Sequence, residues 1–175
     1  APSPLWSPDS RSVGFTVDNT LRRVDTSGGP PETVVTVPNQ APRSGTWNRH
    51  GDIVLGSWGG GSGGPLWRVS GGAATAVTQV DLSKGEFFHT WPTFLPDGTH
   101  FLYFRSGPPD VEGMYVGSLE VDAANQSRQR VLTTGVPAVF AENSDRALPT
   151  KAALYGSAKT FVALPSSAAR RQQNK

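Results

Sequence analysis

The chain has 175 residues, with 16 Lys plus Arg against 14 Asp plus Glu and a formal net charge of +2. Its basic residues are scattered rather than gathered on one face, which speaks against a nucleic-acid partner, and the absence of cysteine excludes a disulfide framework, a thiolate metal site and a thiol nucleophile. No run approaches the ~20 apolar residues of a membrane span and no secretory leader opens the chain, so membrane insertion is not expected.

Twenty glycines and 15 prolines favour many short strands over long helices. Residues 1–36 read as four strands, near 3–7, 12–17, 20–25 and 32–36. Pro8-Asp9-Ser10 separates the first two: proline presets φ and aspartate bonds its own backbone. Asp18-Asn19 is a tight-turn signal between the middle two. Residues 37–43 hold Pro38 and Pro42 and read as an extended crossover.

Residues 44–78 repeat the plan in a looser form. Thr46-Trp47, a turn over Asn48-Arg49-His50-Gly51-Asp52, and Ile53-Val54-Leu55 are followed by Leu66–Ser70, a Gly71-Gly72 turn and a fourth strand over Thr75–Thr78. The glycine run between Gly59 and Gly64 has no Gly-Lys-Ser/Thr and no strand-to-helix context, so it reads as a hairpin loop rather than a phosphate cradle.

Residues 79–133 carry the clearest copy. A long lead-in from Asp81 to His89 precedes Trp91-Pro92-Thr93-Phe94, the turn Pro96-Asp97-Gly98, and Phe101-Leu102-Tyr103-Phe104. The last run does not alternate, as expected of a strand buried on both faces. Met114–Leu119 and Arg130–Thr133 read as the third and fourth strands. Residues 134–140 begin like another first strand, and from 141 to 175 the pattern stops, leaving an irregular or part-helical tail.

Aligning Trp6, Trp47 and Phe94 sets the copies 41 and 47 residues apart. That is the period of a propeller blade, a four-stranded sheet of roughly 40–50 residues. The pattern of aromatic residue, Ser-Pro-Asp-Gly-like turn, apolar strand and Leu/Tyr-x-Val before Gly-Gly resembles the TolB-like class of β-propeller repeats. The copy around Trp91–Phe104 is most similar to repeats of the extracytoplasmic propeller of bacterial membrane-bound serine/threonine kinases.

The resemblance covers about residues 3–140. It implies an all-β, partial β-propeller of about three four-stranded antiparallel blades (1–36, 44–78 and 79–133, with a fourth beginning at 134–140). It also implies a periplasmic or extracytoplasmic location and a binding module that recognises a protein or small-molecule ligand at its channel mouth or open blade faces. Three blades do not close a ring. The expectation is therefore self-association through uncovered faces carrying Trp6, Phe15, Trp47, Trp91 and Phe104, each worth roughly 1.5–3 kcal/mol when buried.

Candidate chemistry is sparse. His50 and His100 read as turn and strand-edge residues, Asp9 and Asp97 as turn formers, and Asp110 with Glu112 as a solvated loop pair. No Gly-x-Ser-x-Gly elbow is present. His89, with Glu86 in the same lead-in, is the histidine expected nearest the central channel. An alternative function is a small calcium-assisted hydrolase of lactones or esters, as in propeller lactonases. In that reading Glu86 and His89 are the catalytic candidates, and Glu86, Asn39 and Asn48 supply oxygens for the metal. No other cofactor is expected.

Overall fold

The three copies of the turn form the same hydrogen bonds. Ser10, Gly51 and Gly98, each four residues after the aligned Trp6, Trp47 and Phe94, all have positive φ (60°, 90° and 74°). Their amides donate to Ser7, Asn48 and Leu95 respectively, at 2.9, 3.2 and 2.9 Å. Glycine fits this left-handed position in the last two copies; the first holds it with serine.

The computed structural model describes residues 4–39, 41–57 and 64–133, and the backbone of 139–141 and 153–155. Around the turns, the chain builds three four-stranded antiparallel sheets, each in sequence order. The first contains β1 (Leu5–Trp6), β2 (Ser12–Val17), β3 (Thr20–Asp25) and β4 (Glu32–Thr36). The second contains β5 (Pro42–Trp47), β6 (Ile53–Ser57), β7 (Trp67–Ser70) and β8 (Ala73–Ala76). The third contains β9 (Phe88–Phe94), β10 (His100–Ser106), β11 (Gly113–Ser118) and β12 (Arg130–Leu132). This is a partial propeller of three blades. Trp6, Trp47 and Phe94 pair with Val13, Ile53 and Phe101, so the aligned rings hold one register position in all three.

Two strands depart from the sequence reading. β5 begins at Pro42, inside the expected crossover 37–43, with Pro42 opposite Ser57; a proline is tolerated there as the first residue of the strand. The fourth strand of blade 2 runs Ala73–Ala76 rather than Thr75–Thr78. Gly71 and Gly72, at φ 58° and 81°, make a two-residue turn that opposes Ser70 to Ala73 at once. The Val77 amide and Thr78 hydroxyl then leave the ladder to bond the Leu66 carbonyl and amide.

The blades stack through two cores. Leu5, Leu21, Val35 and Val37 of blade 1 meet Ile53, Leu55 and Val69 of blade 2, with Trp47 and Trp67 packed against them. Val54, Leu66 and Val77 of blade 2 meet Phe101, Tyr103 and Tyr115 of blade 3, with Phe94 packed against them. Each sheet therefore has a front, bearing the aligned aromatic and facing the preceding blade, and a back. Along a strand, alternate residues serve alternate faces, which is why β6 and β10 are buried almost throughout while β2 is not.

Side-chain hydroxyls fix the spacing. Thr16 Oγ1 donates to the Pro42 carbonyl at 2.8 Å between blades 1 and 2. Between blades 2 and 3, the Trp91 and Phe94 amides donate to Ser44 Oγ and Thr46 Oγ1. Trp91 sits at φ 50° where the β9–β10 register shifts, an irregularity in the innermost strand.

A third cluster, Leu102, Phe104 and Met114, lines the back of blade 3. There β13 (Val139–Ala141) lies against β9 and pairs with β14 (Ala153–Tyr155). The described part of the tail is thus strand. The glycine run at 59–63, Gln40 of the crossover and the remainder of the tail lie outside the described residues.

Candidate functional site

The lead-in to blade 3 is anchored by polar groups that are buried and paired. Asp81 precedes a single 3-10 turn (Leu82–Lys84), closed by Gly85 at φ 73°. The chain then turns inward, placing Glu86 and, at the start of β9, His89 in the interface between blades 2 and 3. Glu86 is 2% exposed and His89 is fully buried.

His89 Nε2 lies 3.1 Å from Glu86 Oε2, and Nδ1 lies 2.8 Å from Thr78 Oγ1. The partners assign the tautomer. A carboxylate only accepts, so Nε2 carries the proton. Thr78 Oγ1 already accepts from the Leu66 amide at 2.8 Å, and its own hydrogen is free to point at Nδ1. The imidazole is neutral. Burial lowers its pKa, and Arg105 adds to this, against the pull of Glu86 in the other direction.

Across the β9–β10 ladder, Arg105 opposes His89. Its Nη1 donates to Glu86 Oε1 at 3.1 Å, its Nε and Nη2 to the Tyr103 hydroxyl, and its Nη2 also to the Ser127 carbonyl. The guanidinium stacks 4.1 Å from the Tyr115 ring centroid. The Asp81 amide completes Glu86 by donating to Oε2 at 2.7 Å. Burial pushes the Glu86 carboxyl up, but the His89 and Asp81 hydrogen bonds and the Arg105 charge outweigh it, and its pKa is lowered.

Burial likewise drives the Tyr103 hydroxyl up to about 12, Arg105 notwithstanding. Tyr103, Arg105 and Thr78 were not singled out from sequence. Arg105 carried a signal: a cation ending an otherwise apolar run must find a buried partner.

The arrangement is a closed network rather than an open catalytic pair. Among the described residues, no buried side-chain nitrogen or oxygen lacks a partner. The space beside Glu86, among Thr78, Asp81, Arg105, Gln126 and Arg128, measures about 10 Å³, room for a single water. A wider depression of about 360 Å³ opens beyond it between Lys84, Asp110, Tyr115 and Arg128, with Glu86 and Arg105 at its base.

The three metal candidates are not brought together. Asn39 is exposed at the turn after β4, with φ 54°. Asn48 is buried in the blade 2 turn, where its Oδ1 accepts from the His50 and Asp52 amides and its Nδ2 donates to the Gly98 carbonyl at 2.7 Å. Glu86 is held by His89, Arg105 and the Asp81 amide. With an arginine 3.1 Å away and both oxygens engaged, Glu86 does not offer a calcium ion the anionic, open oxygens it needs. No group of three or more His, Asp or Glu suited to a metal occurs among the described residues.

His50 is exposed and His100 half-buried, and His100 Nδ1 pairs with Asp97 at 2.7 Å. Asp9 and Asp97 cap their own turns by accepting the Arg11 amide and the Thr99 and His100 amides.

The open surface lies elsewhere. Trp6 is 60% exposed and Val17 43%. Val13, Phe15 and Val24 are half-buried, and Val13↔Val24 and Phe15↔Arg22 are directly opposed. Together these residues form the front of blade 1, in the register that blades 2 and 3 fill with buried side chains. Of the five aromatics expected on uncovered faces, Trp6 and Phe15 lie on this one. Trp47 is packed between blades 1 and 2, Phe104 is 3% exposed, and Trp91 packs on Phe104 at 5.1 Å. The difference follows from ring order: a neighbouring sheet covers every other front, and β13 lies beside the back of blade 3.

No family model matches the sequence, and no curated protein matches it. Among solved structures, TolB from Acinetobacter baumannii is similar at 16% identity and a TM-score of 0.60, over 91% of this chain and 39% of that one. A candidate TolB from Agrobacterium tumefaciens is similar at 19% identity and a TM-score of 0.55, over 78% of this chain and 47% of that one. The fold is that of the TolB-like propellers, and this chain spans less than half the length of these structures. A calcium-binding regucalcin from Agrobacterium tumefaciens matches 59% of the chain at 26% identity, with a TM-score of 0.44, too low to indicate a shared overall fold. No helix among the described residues is long and apolar enough to cross a membrane.

Proposed function

We propose that the chain is a non-enzymatic interaction module, acting outside the cytoplasm, that recognises a protein through the front of blade 1. The observation that carries this is the exposure of Trp6 at the register position where Trp47 and Phe94 are packed against a neighbouring blade. A contiguous apolar sheet face on a folded chain marks an interaction surface. It offers no enclosure for a small molecule, which binds in clefts that bury most of its surface. The TolB-like fold supports the architecture alone, since propellers carry unrelated activities.

Light scattering at micromolar concentration tests the reading. The uncovered face predicts association, and a strict monomer at every concentration contradicts it. The hydrolase alternative is tested on a lactone panel with and without chelator. Turnover no higher than in buffer is expected; calcium-dependent turnover lost on Glu86→Gln or His89→Ala would replace the present proposal.

A further inference from the structure

We infer that the depression beyond Glu86 is a binding site for a small monocarboxylate, held by Lys84, Arg105 and Arg128. The inference is independent of the interaction reading above, which concerns blade 1. The walls come from the blade 3 lead-in, the end of β10, the β10–β11 loop, β11 and the approach to β12. At about 360 Å³ the space falls within the range of small-molecule sites.

The walls are held in place by the chain itself. The Phe87 amide of the lead-in donates to the Ser106 carbonyl, and the Val111 and Glu112 amides both donate to the Pro108 carbonyl, each at 2.8 Å. Arg130 Nη1 donates to the Pro109 and Glu112 carbonyls from the other side of the loop. A ligand entering here therefore meets a surface that is already ordered, which lowers the cost of binding.

What these walls have to spare is donors. A guanidinium carries five hydrogens. Arg105 spends four of them, two on the Tyr103 hydroxyl, one on the Ser127 carbonyl and one on Glu86 Oε1. The fifth, on Nη1, has no acceptor among the described residues, although Arg105 is only 6% exposed. Arg128 gives one Nη1 hydrogen to Asp81 at 3.0 Å, and its Nε and Nη2 hydrogens are uncommitted among the described residues. Lys84 is exposed and makes no hydrogen bond or ion pair there. The Glu86 carboxylate, by contrast, has both oxygens engaged. Spare donors around an engaged acceptor suit a group that only accepts, and a carboxylate is such a group.

Charge sets the valence. Among the lining residues Lys84, Arg105 and Arg128 outnumber Glu86 and Asp110 by one, and Asp81, the partner of Arg128, does not line the depression. One carboxylate balances that excess. A dicarboxylate or a phosphate dianion brings a second negative charge to a rim where Asp110 stands exposed and without an ion-pair partner among the described residues. Tyr115 and Val111 supply the apolar part of the wall, against which a hydrocarbon body can lie.

Calorimetric titration of the full chain with 3-phenylpropionate tests this, beside 3-phenylpropanol, succinate and inorganic phosphate. Saturable one-to-one binding of 3-phenylpropionate is expected, weakening as salt is added, with no binding of the alcohol and weaker binding of succinate and phosphate. Lys84→Glu is expected to raise the dissociation constant by more than about tenfold, as for a charge reversed beside a charged ligand. Arg128→Gln should raise it by less, and Arg49→Glu, an exposed arginine in the blade 2 turn, should leave it unchanged. All three side chains are exposed, so far-UV circular dichroism should match wild type. The inference is overturned if wild type shows no saturable binding, if Lys84→Glu binds as wild type does, if the alcohol binds as well as the acid, or if phosphate binds more tightly than 3-phenylpropionate. None of these outcomes bears on the blade 1 surface.

Discussion

His89 Nε2 and Glu86 Oε2 face each other at 3.1 Å inside the wall between blades 2 and 3, with Arg105 on the far side of the carboxylate. A pair of acid and base candidates adjacent in sequence is here a structural joint. It ties the lead-in loop, the inner strand β9 and its neighbour β10 to the outer edge of blade 2 through Thr78.

Acid should loosen this joint. The folded pKa of His89 is lowered, so between it and the unfolded value near 6.5 the unfolded chain binds more protons. The neutral imidazole's contribution is therefore complete above about pH 6.5 and declines as pH falls below it. Glu86, also lowered, adds a loss at still lower pH, as pH falls through its folded pKa. The urea midpoint should be lower at pH 5.5 than at pH 7.5, and less so in His89→Gln. An unchanged midpoint in the wild type would count against the buried neutral tautomer.

Alkali should act through Tyr103. Its folded pKa, about 12, lies above the unfolded value near 10, so its contribution is complete below pH 10 and is lost as pH rises between roughly 10 and 12. In an absorbance titration at about 295 nm, Tyr103 should ionise after Tyr115, and Tyr103→Phe should remove that late step. The same substitution takes away the oxygen that accepts two Arg105 hydrogens, at a cost of about 1–3 kcal/mol.

Arg105→Met should be among the most damaging single changes. It leaves Glu86 charged in a wall with no cation, an effect of about 3–5 kcal/mol in chemical denaturation. Adding Glu86→Gln should recover part of the loss, because the stranded charge is then gone. If the double variant is less stable than Arg105→Met by the full cost of Glu86→Gln alone, the two groups are not coupled.

The fold was legible because its punctuation is local. A positive-φ residue after Pro-Asp, or at Gly51, sets each hairpin without help from the rest of the chain, and the ring position of Trp6, Trp47 and Phe94 follows from counting along the strands. The Glu86–His89 pairing was half legible: proximity in sequence brought the two together, but nothing local showed that Arg105, Tyr103 and Thr78 would fill their remaining bonding capacity. Those partners come from β10 and from the end of blade 2, set by sheet register. Asn48 shows the same limit. As an amide near a strand end it resembled a metal ligand, whereas a contact 50 residues distant, the Gly98 carbonyl, fixes its role.

That contact gives a further prediction. Asn48→Ala should cost about 1–3 kcal/mol, since it leaves the buried Asp52 amide and the Gly98 carbonyl without their partner. Gly98→Ala should also destabilise, because φ is 74° and the added methyl would come within 2.9 Å of the His50 ring. Urea midpoints check both. A neutral Asn48→Ala would mean that the turns of blades 2 and 3 are held by something other than this amide.

The account depends on Trp6 and Trp47 occupying one position in two blades, of which, among the described residues, only the second has a sheet packed on its front. The most direct measurement is a pair of urea unfolding curves, for Trp6→Ala and Trp47→Ala, taken in dilution below the range of association. Trp47→Ala should lower the unfolding free energy by about 2–4 kcal/mol, as for a large ring lost from a core, and Trp6→Ala by no more than about 0.5 kcal/mol. Equal losses from the two variants would contradict it.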